Sequence, residues 1–312
     1  MAMTLLEAAK LNSGEVLRSA IIELFAENSS VLAAMPFIDI GGGAYTYNSE
    51  GQLPGVAFRG VNESYAEGVG VINPATERLR IAGGDLDVDK AIIRMNGASV
   101  RSQHESMKVK ALSMFLSKTF IKGDGEVEVR EFDGLQKRLT GPQLVDVLDA
   151  TPTDGGDPLS IGKLDELIDT VDNPTHLVMS KALRRRMTAA ARDTTIGGFI
   201  SYAQDDFGRT QTLYNDLPIL ILEQDETGAR ILDFNEVGAG GSTATATSVY
   251  CVNFSEEGVS GIQNGVMDVT DLGEIDTAPV LRTRVEWLVS MVVLSSRGAA
   301  RLRGISNAAA IA

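Results

Sequence analysis

Cysteine occurs once in the 312 residues, as Cys251. That excludes an intrachain disulfide and any multi-cysteine metal site, and it fits synthesis in a reducing cytoplasm. Histidine occurs twice, at His104 and His176, and neither lies in an HExxH or similar signature; GxSxG is also missing, so no motif nominates a reaction. No apolar run approaches the roughly 18 to 20 residues needed to span a bilayer, and the start MAMTLLEAAKLNSGEVLRS has none of the parts of a secretory signal. Basic charge is in deficit, with 28 Lys and Arg against 42 Asp and Glu and a net charge of −14. Gripping phosphates requires clustered cations, so binding nucleic acid through an overall basic surface is excluded. A container for nucleic acid is not excluded, since a neutral or acidic lining releases its contents more easily than a sticky one.

What is present first is an extended stretch, Tyr45 to Lys90, with seven glycines and two prolines and too little apolar content for a core of its own. Thr76 to Ile81 alternates, which places Leu79 and Ile81 on one face and Arg78 and Arg80 on the other, as in a half-covered hairpin. An isolated hairpin is marginal in water, so the ribbon is expected to be satisfied by other copies of the chain. Before it, residues 4 to 27 read as amphipathic helical pieces with Leu17, Ile21, Leu24 and Phe25 on one face, stopped by Asn28-Ser29-Ser30. Gly41-Gly42-Gly43 marks a sharp turn. After it, Asp85, Asp87 and Asp89 share a strand face opposite Leu86 and Val88. A calcium loop opening at Asp85 would need glycine and glutamate where Lys90 and Asn96 stand, so a solvated strand face is the reading.

Ser99 to Lys122 is the longest helix, on the order of 35 Å at 1.5 Å per residue. Ser102 and Glu105 have capping-box spacing, and Met107, Ala111, Met114, Phe115 and Thr119 are expected to form its packed side. It ends at Gly123-Asp124-Gly125. Residues 151 to 158 form a Pro/Gly-rich boundary. Beyond it come a helix face of Leu164, Leu167, Ile168 and Val171, a short strand from His176 to Met179, and a helix capped by Ser180 and running to about Asp193. Two strands follow, Leu217 to Leu222 and Ser248 to Phe254, with Gly238 to Ser248 read as a loop rather than a phosphate cradle. Thr283, Val285, Trp287, Val289, Met291 and Val293 alternate with Arg282, Arg284 and Glu286 in a last strand. A turn with Arg297, Arg301 and Arg303 and a frayed tail are expected after it. Arg184-Arg185-Arg186 cannot form one flat patch on a helix and is read as a source of intersubunit ion pairs. Cys251, inside an apolar strand, reads as an inert hydrophobe.

Taken in order, TYNSEGQLPGVAFRGVNESYAE (46–67), EFDGLQKRL (131–139), NDLPILI (215–221) and RTRVEWLVSMVVLSSRGAARLRGI (282–305) resemble the major capsid proteins of tailed bacteriophages, the Hong Kong 97 type. The resemblance implies an α+β fold with an N-terminal arm at 1–44, an extended loop at 45–85, a peripheral domain at 86–140 plus 276–312 that carries a long spine helix, and an axial domain at 141–275. It also implies a structural protein, not an enzyme, without cofactor or metal. Such a protein assembles as hexamers and pentamers into an icosahedral shell around double-stranded DNA, located in the virion and built in the host bacterial cytoplasm. Its implied partners are other copies, portal and scaffolding proteins and a possible decoration protein, with no membrane. An encapsulin-like shell around protein cargo is the alternative. The expected assembly residues are Leu53, Pro54, Val56, Phe58, Arg59, Arg78, Arg80, Arg184 and Arg185. The family's namesake crosslinks a lysine on this loop to a neighbour's asparagine, but Tyr45 to Arg80 contains no lysine, so noncovalent overlap or a decoration protein must supply shell strength. The absence of a long scaffolding segment before the arm implies a separate scaffold or a removed propeptide.

Overall fold

The computed structural model describes residues 3–5, 7, 24, 28–52, 54–65, 67–97, 99–147, 155–192, 200–204, 208, 210–238, 241, 243–276 and 278–311. The helical pieces expected over residues 4 to 27 lie almost wholly outside the described residues; Leu24 is described and packs against the core. Ser29 opens a helix, its hydroxyl accepting from Leu32 N at the start of α1 (Ser30–Ala34).

The chain's centre is a sheet in the order β1 (Phe37–Asp39), β12 (Val259–Gln263), β14 (Val280–Val293), β13 (Asp268–Glu274), with β4 (Arg80–Asp89) also paired to β14. β14 alternates as expected: Thr283, Val285, Trp287 and Val289 are buried while Glu286 is exposed, until both faces become covered from Ser290 onward. Trp287 donates from Nε1 to Gln263 Oε1 at 3.1 Å and lies 5.1 Å from the Phe37 ring. Phe37 packs directly over Gly261, where a Cβ would fall 2.3 Å from the ring, so only glycine fits that position. The outward carboxylates of β4 meet arginines of β14, Asp87 with Arg282 and Asp85 with Arg284, each through paired N–H donors. Those arginines hold both carboxyls below the usual carboxylate range, chiefly by hydrogen bonding. Asp89 turns away from this row to cap α2 (Lys90–Asn96), accepting from Ala91 N.

The long helix α3 runs Ser99–Lys122, the span expected from its pattern. Its buried side is another matter: Val109, Leu112, Ser113, Leu116, Ser117 and Phe120 face inward, while Met107 is exposed and Ala111, Met114 and Phe115 are only partly covered. Of the expected set, Thr119 alone is buried. Two serines on the packed side masked the true stripe. Ser117 earns its place by donating to Ser113 O while sharing a 2.7 Å hydrogen bond with Ser29. The helix begins at Ser99, so Ser102 and Glu105 are not a capping box; Glu105 instead accepts from Thr283 Oγ1 and pairs with Arg101, tying the helix to β14.

A second sheet has the order β5 (Leu144–Asp146), β15 (Ala299–Ile305), β11 (Ala244–Val252), β6 (His176–Ser180), β9 (Leu217–Leu222), β8 (Thr210–Tyr214), β7 (Ile200–Gln204), with β10 (Glu236–Val237) beside β11. On it pack α5 (Ile161–Thr170), through Leu164, Leu167 and Ile168, and α6 (Lys181–Ala190), through Leu183 and Met187. The short α4 (Leu135–Arg138) lies between the sheets in sequence. Ser180 caps α6 by accepting from Leu183 N. Burial depresses His176 to about 4 and pushes the Cys251 thiol up to about 12. Strands 259–263 and 268–274 belong to the first sheet and 299–305 to the second, so sheet membership does not follow a single cut at residue 275.

Three expectations fail here. The stretch from Ala244 to Ser248 is strand, not loop: its small threonines and alanines suit close packing, and the strand ends at Val252 rather than Phe254. The segment with Arg301 and Arg303 is the strand β15 and not a turn; Arg301 is buried because Glu236 meets it at 2.9 Å and the Ser248 hydroxyl accepts from its Nε. The tail is pinned, with Ile311 N donating to Leu159 O and Ile161 N to Ile311 O.

The helix α3 is tied to the turn that follows β9 by Lys118 and Asp225, 3.0 Å apart. Asp225 is buried and also accepts from Thr227 Oγ1, Thr227 N and Ala229 N, and these bonds, the threonine hydroxyl foremost, lower it to about 2. A carboxylate depressed on folding adds stability that is present above its unfolded value near 4 and is lost as pH falls through about 2. Asp225→Asn is expected to lower the unfolding free energy of the subunit by about 1–2 kcal/mol at pH 7. The deficit should shrink between pH 4 and 2, as read by denaturant titration at each pH.

Candidate assembly surface

The strands β2 (Ala44–Gln52) and β3 (Val71–Arg78) pair antiparallel from Ala44 opposite Arg78 to Gln52 opposite Val71, and among the described residues they form a sheet of two strands with no third. Its base is firmly held. Leu79 joins Ile262 and Val292 in a buried cluster with Tyr45 and Tyr47 against it, and the two tyrosine rings stack 6.1 Å apart. Arg138 on α4 grips the Glu77 carboxylate with both terminal nitrogens, the second at 2.9 Å. Burial raises the Tyr47 hydroxyl. Gly42, at φ +125, makes the turn into β2 that the three glycines suggest.

The expected face pairing of Leu79 with Ile81 does not hold. The strand breaks at Leu79, between β3 and β4, and the alternation resets: Leu79 is buried, whereas Ile81 is 73% exposed on the outward face shared with Asp85 and Asp87. The break lets Leu79 plug the base while β4 turns into the central sheet.

Beyond the base, the described residues between 54 and 70 contain no helix or strand, and every one of them is exposed. The loop is nonetheless organised. Its limbs converge at a neck where a Cβ on Gly68 would lie 2.7 Å from Gly55 N. At the tip, Arg59 Nη1 donates to Glu63 O at 3.0 Å and its guanidinium lies over the Tyr65 ring at 5.3 Å; Gly60 N donates to Glu63 Oε2, and Asn62 adopts φ +67. This turn presents Val56 at 95%, Phe58 at 107% and Val61 at 94% exposure, with Tyr65 and Val69 beside them. Contiguous apolar side chains at such exposure mark an interaction surface.

The expected assembly residues fall into three places. Pro54, Val56, Phe58 and Arg59 are together on the loop; Leu53 lies outside the described residues. Arg78 and Arg80 flank the break at its base, Arg78 exposed and Arg80 half-buried beside a groove of about 480 Å³ between β4 and α3. Arg184 and Arg185 sit far along the chain on α6, bordering a cleft of about 500 Å³. Sequence reasoning missed Val61, Tyr65 and Val69, although their spacing in a glycine-rich segment without a core was the available signal. Among the described residues no helix is long and apolar enough to cross a membrane.

Residues 12–161 match the family model described as major capsid protein GP7. No curated protein sequence matches the chain. Solved structures do. The holo-SrpI encapsulin complex from Synechococcus elongatus PCC 7942 superposes with a TM-score of 0.61 at 15% identity over 91% of this chain and 89% of that one. The capsid of the native GTA particle gives 0.61 at 13% over 89% and 91%, and a structure of Mycobacterium phage Adephagia gives 0.60 at 14% over 89% and 90%. At these identities the shared property is the fold.

The loop tip can be tested apart from the core because Val56, Phe58 and Val61 are almost fully exposed. Phe58→Ser with Val56→Ser is expected to leave the denaturation midpoint of unassembled subunits unchanged while reducing the yield of closed particles by about tenfold or more in sedimentation, since each buried apolar side chain is worth about 1.5–3 kcal/mol.

Proposed function

We propose, from the Hong Kong 97 type capsid fold and the match to a major capsid protein family, that the chain is a phage major capsid protein whose hexamers and pentamers close an icosahedral shell around double-stranded DNA. The single observation that carries the reading is the exposed apolar loop on a fixed base, a feature without use in a lone subunit. The division into an arm at 1–44, an extended loop at 45–85, a peripheral domain at 86–140 plus 276–312 and an axial domain at 141–275 belongs to this proposal. It rests on the resemblance to the Hong Kong 97 type, with the long helix Ser99–Lys122 falling inside the part assigned to the peripheral domain. The role is structural, in the virion, with assembly in the host cytoplasm as part of the proposal.

Copies of the chain are its first partners. Portal and scaffolding proteins follow from the need to start and fill a closed shell. A decoration protein is supported by the lack of lysine on the loop, and one structure of this fold is described as phage G gp27 major capsid proteins with gp26 decoration proteins, at a TM-score of 0.52 and 12% identity. DNA would be enclosed rather than read, in keeping with the net charge of −14. The second reading, an encapsulin-like shell around protein cargo, is favoured by the likeness to the encapsulin complex.

Electron microscopy of the purified protein, combined with the nucleic acid content of particles made during infection, separates these. Closed particles holding nuclease-protected double-stranded DNA are expected. Closed particles that hold only protein would favour the encapsulin reading, and a persistent small monomer would overturn both.

A further inference from the structure

Residues 181–192 carry five cations and no carboxylate, and residues 161–172 carry four carboxylates and one lysine. Lys181, Arg184, Arg185 and Arg192 are spaced along one side of α6 and its end, and they border the cleft of about 500 Å³ whose apolar lining includes Leu222 and Phe234. Two of the cleft's cations are answered at home: Lys181 pairs with Glu223 at 2.8 Å and Arg230 with Asp233 at 3.8 Å. Among the described residues, Arg184, Arg185 and Arg192 have no acidic partner, and Arg184 Nε is shut from solvent without a hydrogen-bond acceptor. An unbonded buried donor on a guanidinium is costly until an acceptor arrives.

On α5 the acidic side is exposed at Asp165, Glu166 and Asp169, with Asp172 continuing the row at i, i+4 and i+7 from Asp165. Asp165 accepts from the Tyr214 hydroxyl at 2.6 Å, Glu166 pairs with Lys163, and Asp172 meets Arg297 at 3.3 Å. Among the described residues Asp169 has no ion-pair partner, and no ion pair joins α5 to α6. Among the described residues, the two helices thus carry opposite charge that no ion pair between them combines.

We propose that the acidic side of α5 on one copy docks at the basic cleft beside α6 on the next copy. The inference rests on the assembly reading above and names one of its contacts. The two patches are different surfaces of one chain, so the contact is heterologous and closes into a ring when the rotation permits. Arginine forks bind carboxylates in bidentate pairs, which fixes orientation as well as attraction. A nucleic acid strand fits less well, because Glu223 and Asp233 stand at the same cleft and a chain of charge −14 offers carboxylates at every turn.

Charge reversal tests the contact. Arg184→Glu with Arg185→Glu, or Asp169→Lys with Asp172→Lys, is expected to cut closed-particle yield about tenfold, by making like charges face one another, and a chain bearing all four changes is expected to recover it. A chain with Arg185→Cys and Asp169→Cys should form disulfide-linked ladders on oxidation, Cys251 being buried. Unchanged assembly of the reversed variants overturns the proposal, as does a loss that the fourfold variant fails to recover, including one repaired only by added inorganic phosphate. If the unmodified protein forms no particles, the shell reading itself fails; the cysteine pair still reports on the contact in whatever oligomer forms, and chains that stay unlinked there overturn it.

Discussion

Apolar side chains that a subunit cannot cover for itself are the constraint on which this structure turns. Phe58, Val56 and Val61 are essentially fully exposed, and Tyr65 and Val69 largely so. Burying five such groups is worth about 10 kcal/mol at roughly 2 kcal/mol each. Association of two proteins costs about 4–15 kcal/mol in lost freedom. A single loop contact is therefore marginal on its own. Repeated around a closed shell, the same contact is made intramolecular by its neighbours and becomes cooperative. The absence of an internal cover thus favours an all-or-none assembly over a loosely bound dimer.

For such a loop to act, its base must not yield. Leu79 seals it against Ile262 and Val292, Arg138 clamps Glu77, and the arginines of β14 staple the outward carboxylates of β4. The last of these pairs are exposed and each contributes little alone, but they lie in a row along one strand pair and help hold its register. The long helix is paired to the turn after β9 through Lys118 with Asp225 and to β10 of the second sheet through Lys122 with Glu236. Glu236 in turn meets Arg301 in the interior.

Much of this was legible in the sequence where a period ran long enough to be unmistakable. The 24-residue helix and the alternation of β14 were of this kind. The packed side of the helix was not, because Ser113 and Ser117 are buried, Ser117 through hydrogen bonds that no hydropathy pattern reports. The strand β15 hid behind Arg301 and Arg303, charges that read as exposed until Glu236 and Asp146 are placed beside them. Ala244 to Ser248 hid behind small polar residues, and the tail behind backbone hydrogen bonds. At the candidate surface, the loop was legible as a segment without a core, whereas Arg78 and Arg80 could not be separated from it until the break at Leu79 was seen. The cleft beside α6 needed five separate stretches between residues 180 and 234 to be brought together, which only the fold does.

The most direct measurement of the central claim is the rate at which trypsin cuts after Arg59 in unassembled subunits and in assembled particles. Burial beneath a neighbouring copy requires that cleavage slow by about a hundredfold or more on assembly, because a protected site is cut only from the rarely opened state. Equal rates in the two forms would show the loop bare within the particle, and would contradict the account.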